Sequence, residues 1–414
     1  MNDTDNPFRV LHAKGIYDSK KKDYTANAIV LQDAIIVAVG NFEALCRQYP
    51  TAQQIDYSKF YLLPGLINTH VHLEFEPVED TRKSYLEENA YLNFLRAAQN
   101  AHEMLLSGVT TVRDAGSSWN LLHLNDSKAN ALCALPRMRM AGPPITITGG
   151  HLHFMQGEAD SLDEVVKAVR EHHKRGCTDI KIMVSGGQMT PGSVPERESY
   201  HVDAIRAITE EASVFGMPTF AHCLTTKGFV NAMHGGVQCI EHCACFVRNQ
   251  KNGLLERVYE PDIMMEFKGK NPYFMNAISN NYHALDHCRN HTAQQTPREA
   301  FLLEQEEREC EIFKNYIKLG MIPVIGTDAG CGLTYFDETW LECEILAQRC
   351  GFSSSDIITA ATINGARCLE MEDTIGQLAP GYSADMIALS EDPLQDITAL
   401  HKVVHVFCKG QQVR

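Results

Sequence analysis

Short apolar runs alternate with amphipathic stretches through the middle of the chain. Eight runs read as strands, near 63–72, 109–114, 137–146, 179–185, 217–222, 237–242, 272–277 and 322–328. Helical patterns lie between most of them, which reads as βα repetition around a parallel sheet. In 161–175, Ser161 is placed to cap, Glu164 follows three residues later, and Val165, Val166 and Val169 form an apolar stripe. A last helix is predicted from the Ser-Ser-Ser-Asp of 353–356 to about Met371. Eight such units predict an α/β fold, a (β/α)8 TIM barrel, with a doubly wound open sheet as the alternative.

The two ends read differently. Residues 8–62 are rich in β pattern, with a turn at Gln32-Asp33 inside the Val- and Ile-rich stretch 28–40. Residues 375–414 look similar and end in Val403-Val404-His405-Val406-Phe407. Two β-rich ends around one middle predict a small composite β-sandwich domain from 1–62 and 372–414. The barrel then occupies 63–371.

Composition narrows the class. With 44% hydrophobic and 21% charged residues, a mostly disordered chain is excluded. A net charge of −15 argues against nucleic acid as the main partner but leaves small anions open. No run of roughly 18 apolar residues predicts a membrane span, and MNDTDNPFRV has no secretory pattern. The 14 cysteines are then expected as reduced thiols, and the location as cytoplasmic. The 18 histidines need a different explanation.

His70 and His72 sit two apart on a predicted strand, so both imidazoles share a face. Such a pair alone is weak evidence for a metal. Lys181, His222, His242 and Asp328 each lie at or near the C-terminal end of another apolar strand. That is where (β/α)8 enzymes hold their active sites. A satisfied buried His or a capping Asp explains any one of them; six together point to a metal site.

These residues carry a resemblance. Pro64-Gly65-Leu66-Ile67-Asn68-Thr69-His70-Val71-His72, Lys181, His222, His242 and Gly326-Thr327-Asp328-Ala329 resemble the amidohydrolase superfamily. So does the closing stretch from Gly376 to Ile387, so nearly the whole chain is covered. Gly149-Gly150-His151 and the stretch from Lys181 to Gly187 resemble its imidazolonepropionase-related branch, which includes Xaa-Pro dipeptidases and carboxypeptidase-like members. The resemblance implies two divalent ions, usually zinc. His70, His72 and Asp328 would hold the more buried ion, and His222 and His242 the outer one. Lys181 would carry a CO2-derived carbamate bridging both, because a buried ammonium beside two dications is doubly unfavourable. A bridging hydroxide would attack an amide carbonyl, with Asp328 as general base and then acid. His151 would donate a hydrogen bond to substrate near that carbonyl. The expected substrate is a small molecule, a dipeptide or N-acyl amino acid, and the expected assembly a homo-oligomer.

Several expectations qualify this reading. Alternation puts Asp179 and Lys181 on one face, so an ordinary ion pair between them stays open. Peptidase-like relatives often carry His or Tyr two residues after the fifth-strand His, where this chain has Leu224. Cys223 and Cys243 should face away from the metal and, with Cys245, act as core thiols. Glu241, next to a ligand, should also face away. Arg197, Tyr200, Tyr282 and Tyr335 are candidate substrate contacts, and 279–296 is a candidate lid. Deamination of a heterocycle would want Glu where Thr225 stands. Cyclic amides, lactones and organophosphate esters suit the same ligand set. A non-catalytic barrel is disfavoured, because all six ligand positions are filled.

Overall fold

The computed structural model describes residues 8–126, 129, 132–290 and 296–414. The chain begins with β1 (Phe8–Asp18), β2 (Asp23–Gln32), β3 (Ile35–Gly40) and β4 (Gln53–Pro64). Asp33, at φ +51, makes the turn expected between β2 and β3. The parallel strands follow: β5 (Leu66–Val71), β6 (Val109–Asp114), β7 (Arg137–Met140), β8 (Ile180–Met183), β9 (Thr219–Cys223) and β10 (Cys239–His242). A hairpin of β11 (Phe246–Arg248) and β12 (Leu255–Arg257) precedes β13 (Tyr273–Met275) and β14 (Ile322–Pro323). The chain closes with β15 (Met386–Leu389), β16 (Val403–Cys408) and β17 (Gln411–Gln412).

Both ends meet in one seven-stranded sheet, ordered β17-β16-β15-β4-β1-β2-β3. The junction is β4, parallel to β1 on one side and antiparallel to β15 on the other. One face buries Leu11, Ile29 and Leu31 together with Met386, Ala388 and Phe407, so the two ends share a core. The other face packs Val10, Ala28 and Val30 on Leu45 of the helix Phe42–Gln48. A sandwich of two sheets was the expectation. The described strands form a single sheet, with that short helix covering one face.

Between the ends the fold is α/β. β5, β6 and β7 form one parallel arc, and β8, β9, β10, β13 and β14 a second. Each matches one of the eight predicted runs, β9 extending one residue past its run to Cys223. Hydrogen bonds join the arcs at both seams: His72 N–H to the Ala329 carbonyl (2.9 Å), and Ile145 N–H to the Lys181 carbonyl (2.9 Å). Strands such as β5, β6, β8 and β9 are buried along their whole length, as expected when both faces are covered. The predicted capping box of the helix Leu162–Arg175 is present, Ser161 and Glu164 satisfying each other's backbone N–H groups. No helix of the described residues is long and apolar enough to cross a membrane.

Candidate metal centre and its cleft

Alternation along β5 turns Asn68, His70 and His72 to one face. The Asn68 side chain accepts from His70 N–H (3.1 Å) and donates to Thr327 and Thr339. His70 and His72 are buried, and their Nε2 atoms lie 3.3 Å apart. Asp328 Oδ1 is 3.2 Å from the first and 3.3 Å from the second. The far nitrogens are already engaged: His70 Nδ1 lies 2.9 Å from Glu241 Oε1, and His72 Nδ1 3.1 Å from the Gly116 carbonyl. With an ion held there, protons on Nδ1 would leave both Nε2 lone pairs to the metal, the arrangement a ligated imidazole needs. The donor set therefore fits a divalent ion.

Two groups of donor atoms each lie within 4.8 Å of one another: His70, His242 and Asp328, and His72, Asp328 and Cys331. His222 and Lys181 fall outside these groups but line the same cleft, of about 440 Å³, as do the other predicted site residues and His151. His222 Nε2 lies 3.0 Å from the Gly186 carbonyl, which puts the proton there and leaves Nδ1 free. Burial, then the neighbouring His242, hold His222 well below the ordinary imidazole range. Burial also depresses His242, to about 3. Both are therefore neutral, the ligating form. Burial alone would raise Asp328, but His70 and His72 hold it well below the usual carboxylate range.

Glu241 corrects one expectation. It faces inward, touching His70 Nδ1, Lys181 Nζ and Arg113 Nη2. The backbone explains how adjacent residues both reach the interior. Along β10, Cys239 and Glu241 take the inward face, while Ile240 packs in the outer core. His242 would then point outward, but φ turns to +64 there and to +49 at Cys243, bringing its ring to 5.2 Å from His70 and 4.9 Å from His222. Asp328 is likewise left-handed, at φ +59.

Lys181 pairs with Glu241 rather than Asp179, which goes to Arg139 Nε at 2.7 Å. Arg113 lies in the same buried layer, its guanidinium 3.8 Å from the Phe220 ring centroid. The floor beneath the histidines is thus a buried charge cluster of Arg113, Lys181 and Glu241.

His151 packs on His222, ring centroids 4.5 Å apart. A Cβ at Gly187 would come within 2.4 Å of its ring, so the glycines after Lys181 make room for it. Thr190 Oγ1 accepts from Leu152 N–H (3.0 Å) and lies 3.0 Å from His151 Nδ1. Its own hydrogen is free to go to Nδ1, which leaves the His151 proton on Nε2 as a donor.

Other polar residues of the cleft were not singled out from sequence. Asn280 Nδ2 donates to Asp328 Oδ2 at 2.9 Å. Asn276, one residue past β13, lines the cleft with both amide atoms unpartnered among the described residues. The general rule, a polar residue at the end of an apolar strand, finds Asn276 but not Asn280. Arg197, Tyr200, Tyr282 and Tyr335 do not line the cleft; Tyr200 is buried and donates to the Ala159 carbonyl. Cys223, Cys243 and Cys245 sit in the main core as free thiols. Of the candidate lid, Ser279 starts a turn held by Glu342, while 291–295 lie outside the described residues.

At the strand ends, imidazoles and a carboxylate gather inward in groups that could hold a metal ion. The chain belongs to the amidohydrolase family, whose profile matches residues 61–413. Members of that family are hydrolases acting on carbon–nitrogen bonds. The chain is similar to ochratoxinase from Aspergillus niger, 27% identical over 93% of this chain and 82% of that enzyme. It is 21% identical to imidazolonepropionase from Kosmotoga olearia, over 93% of this chain and 90% of that one. Among solved structures it is similar to a Xaa-Pro dipeptidase with bound methionine in the active site, at 25% identity and a TM-score of 0.83, covering 98% of this chain and all of the other.

Proposed function

We propose that this chain is a metal-dependent amide hydrolase acting on a dipeptide or N-acyl amino acid. The observation that carries the reading is the convergence of His70 Nε2, His72 Nε2 and Asp328 Oδ1 within 3.3 Å of one another, with both far nitrogens already engaged. Similarity to ochratoxinase and to a Xaa-Pro dipeptidase supports the amide substrate. The hydrogen-bonded seams support reading the eight strands as one (β/α)8 barrel over 63–371, beside an end domain of 1–62 and 372–414.

In this reading His70, His72 and Asp328 would hold one divalent ion, zinc by ligand type, and His222 and His242 would hold a second. Lys181 would complete the ligand set as a carbamate, formed when neutral Nζ adds CO2 and loses a proton. Its new negative charge would face Glu241, and Arg113, 3.4 Å from Glu241, is placed to hold that carboxylate in its stead. When bound, two such ions lower the pKa of a shared water and polarise a carbonyl.

The remaining steps belong to the chain. Asp328 is ionised at neutral pH, so it takes a proton as attack begins and returns it to the leaving amine. Asn280 fixes its second oxygen, leaving Oδ1 toward the histidines. His151 donates from Nε2 to the substrate near the scissile carbonyl. Thr225 caps the helix Thr226–His234 through Gly228 N–H (2.8 Å), a structural use that speaks against an acid–base role there in deamination. A hydrolysis screen over dipeptides and N-acyl amino acids tests the reading. Turnover in that panel is expected; silence across it, with turnover of lactones or phosphotriesters, would overturn it.

A further inference from the structure

The cleft holds a cation that this chemistry does not use. Arg257 ends β12, in the hairpin that follows β10, and lines the cleft with His242 and Asp328. Among the described lysines and arginines, Arg257 and Lys181 line it, and Lys181 is engaged by Glu241 on the floor. Arg257 is deeply set, its side chain 10% exposed. Glu309, from the helix Pro297–Leu319, reaches Nη2 at 2.6 Å. Nε is buried with no hydrogen-bond partner among the described residues. A guanidinium carries five N–H donors in a planar fork, so one carboxylate contact leaves the cation able to take a second.

The side chain is held in place. Arg257 N–H donates to Gln305 Oε1 at 2.6 Å, and the guanidinium sits 4.7 Å from the Phe246 ring centroid. Phe246 belongs to an apolar cluster with Leu224 and Ala244, all three lining the cleft. Leu224 stands where peptidase-like relatives often carry His or Tyr. Its carbonyl accepts from Phe246 N–H at 2.6 Å, so the hairpin that brings Arg257 in is tied directly to that position. This wall offers a cation beside an apolar surface.

Resting on the proposed amide hydrolysis, we infer that Arg257 is the specificity residue that binds a free carboxylate on the amine side of the scissile bond. The apolar side chain of that same residue packs on Leu224, Ala244 and Phe246. The substrate class is then an N-acyl or N-aminoacyl amino acid with an apolar side chain and an unblocked C-terminus. Glu79 and Asp80, also in the cleft, are anionic and cannot serve a carboxylate.

The test uses the metal-loaded protein and measures acetate release from N-acetyl-L-leucine, N-acetyl-L-methionine and N-acetyl-L-phenylalanine and from their methyl esters. Charge-assisted hydrogen bonds of this kind predict kcat/KM about ten- to a hundredfold higher for the acids. R257M keeps an apolar stem on Phe246 and should collapse that ratio, mainly through KM. R257K should restore it only in part, because an ammonium lacks the fork. Equal rates on acid and ester in the wild type, or an unchanged ratio in R257M, would overturn the role of Arg257 while amide hydrolysis stands. No acetate from any compound would overturn both. If R257M does not fold, the wild-type ratio alone decides.

Discussion

The floor and the wall of the cleft are built by different means. The floor comes from strand ends: His70 from β5 and His72 just past it, Lys181 from β8, His222 from β9, Glu241 and His242 from β10. Hydrogen-bonded neighbours fix each of these backbones, and the side chains meet in a buried layer of opposed charges. The wall comes from connections: Phe246 and Arg257 from a hairpin, Asn280 from a turn after β13, Cys331 from the loop after β14. There Arg257 Nε and both amide atoms of Asn276 are buried with no hydrogen-bond partner among the described residues. A sheet-built floor suits chemistry that needs fixed geometry, and a loop-built wall suits selection.

The largest effect is expected at the floor's centre. Asp328→Asn should lower kcat on the order of a thousandfold, within the range for a general base, with the melting temperature near that of the wild type. Steady-state kinetics beside a thermal melt checks both halves. Glu241→Gln should instead act on stability. In the metal-free chain, where Lys181 is an ammonium, it leaves Arg113 and Lys181 buried without their carboxylate, at a cost of about 3–5 kcal/mol in urea unfolding. The matching change at Glu338, which pairs with the half-exposed His283 near the wall, should cost under about 1 kcal/mol. Comparable losses at the two positions would erase the distinction between floor and wall.

Much of the floor was legible in the sequence because strand alternation assigns faces. His70, His72, Lys181, His222 and Asp328 follow from polar residues ending apolar runs. Glu241 was misassigned for a local reason. Alternation about an inward His242 turns Glu241 outward, but His242 is where the backbone leaves the strand with positive φ. A turn of that kind in a Glu-His-Cys sequence has no glycine to announce it. Arg113 lies mid-strand, and nothing local shows that its charge is buried. The wall was largely illegible. Arg257 meets Glu309 across 52 positions of chain, and Asn280 meets Asp328 across 48, so neither pairing leaves a periodic mark. At the ends, shared β pattern was readable, but one sheet or two depends on which strands pair.

The remaining predictions sharpen the wall. Burial holds the Glu342 carboxyl at about 7, above its ordinary 4.5, while it accepts from Ile278 and Ser279 N–H. The folded state thus binds the proton more tightly than the unfolded state. The stability this gives is full below about pH 4.5 and is lost as pH rises through about 7. Glu342→Gln should flatten that slope in urea unfolding between pH 5 and 8. An unchanged slope would mean that Glu342 does not hold the proton. Smaller still, Asn280→Ala frees Asp328 Oδ2 and should lower kcat about tenfold without moving the melting temperature. A change in KM alone would place Asn280 with substrate rather than with Asp328.

Metal content measured together with activity tests the central claim most directly. The purified chain should hold about two divalent ions, lose amide hydrolysis on chelation and regain it when zinc is restored. His70→Ala should lower both the metal count and the activity. Amide hydrolysis that persists undiminished in the metal-free protein, or a chain that binds no metal at these histidines, would contradict the account.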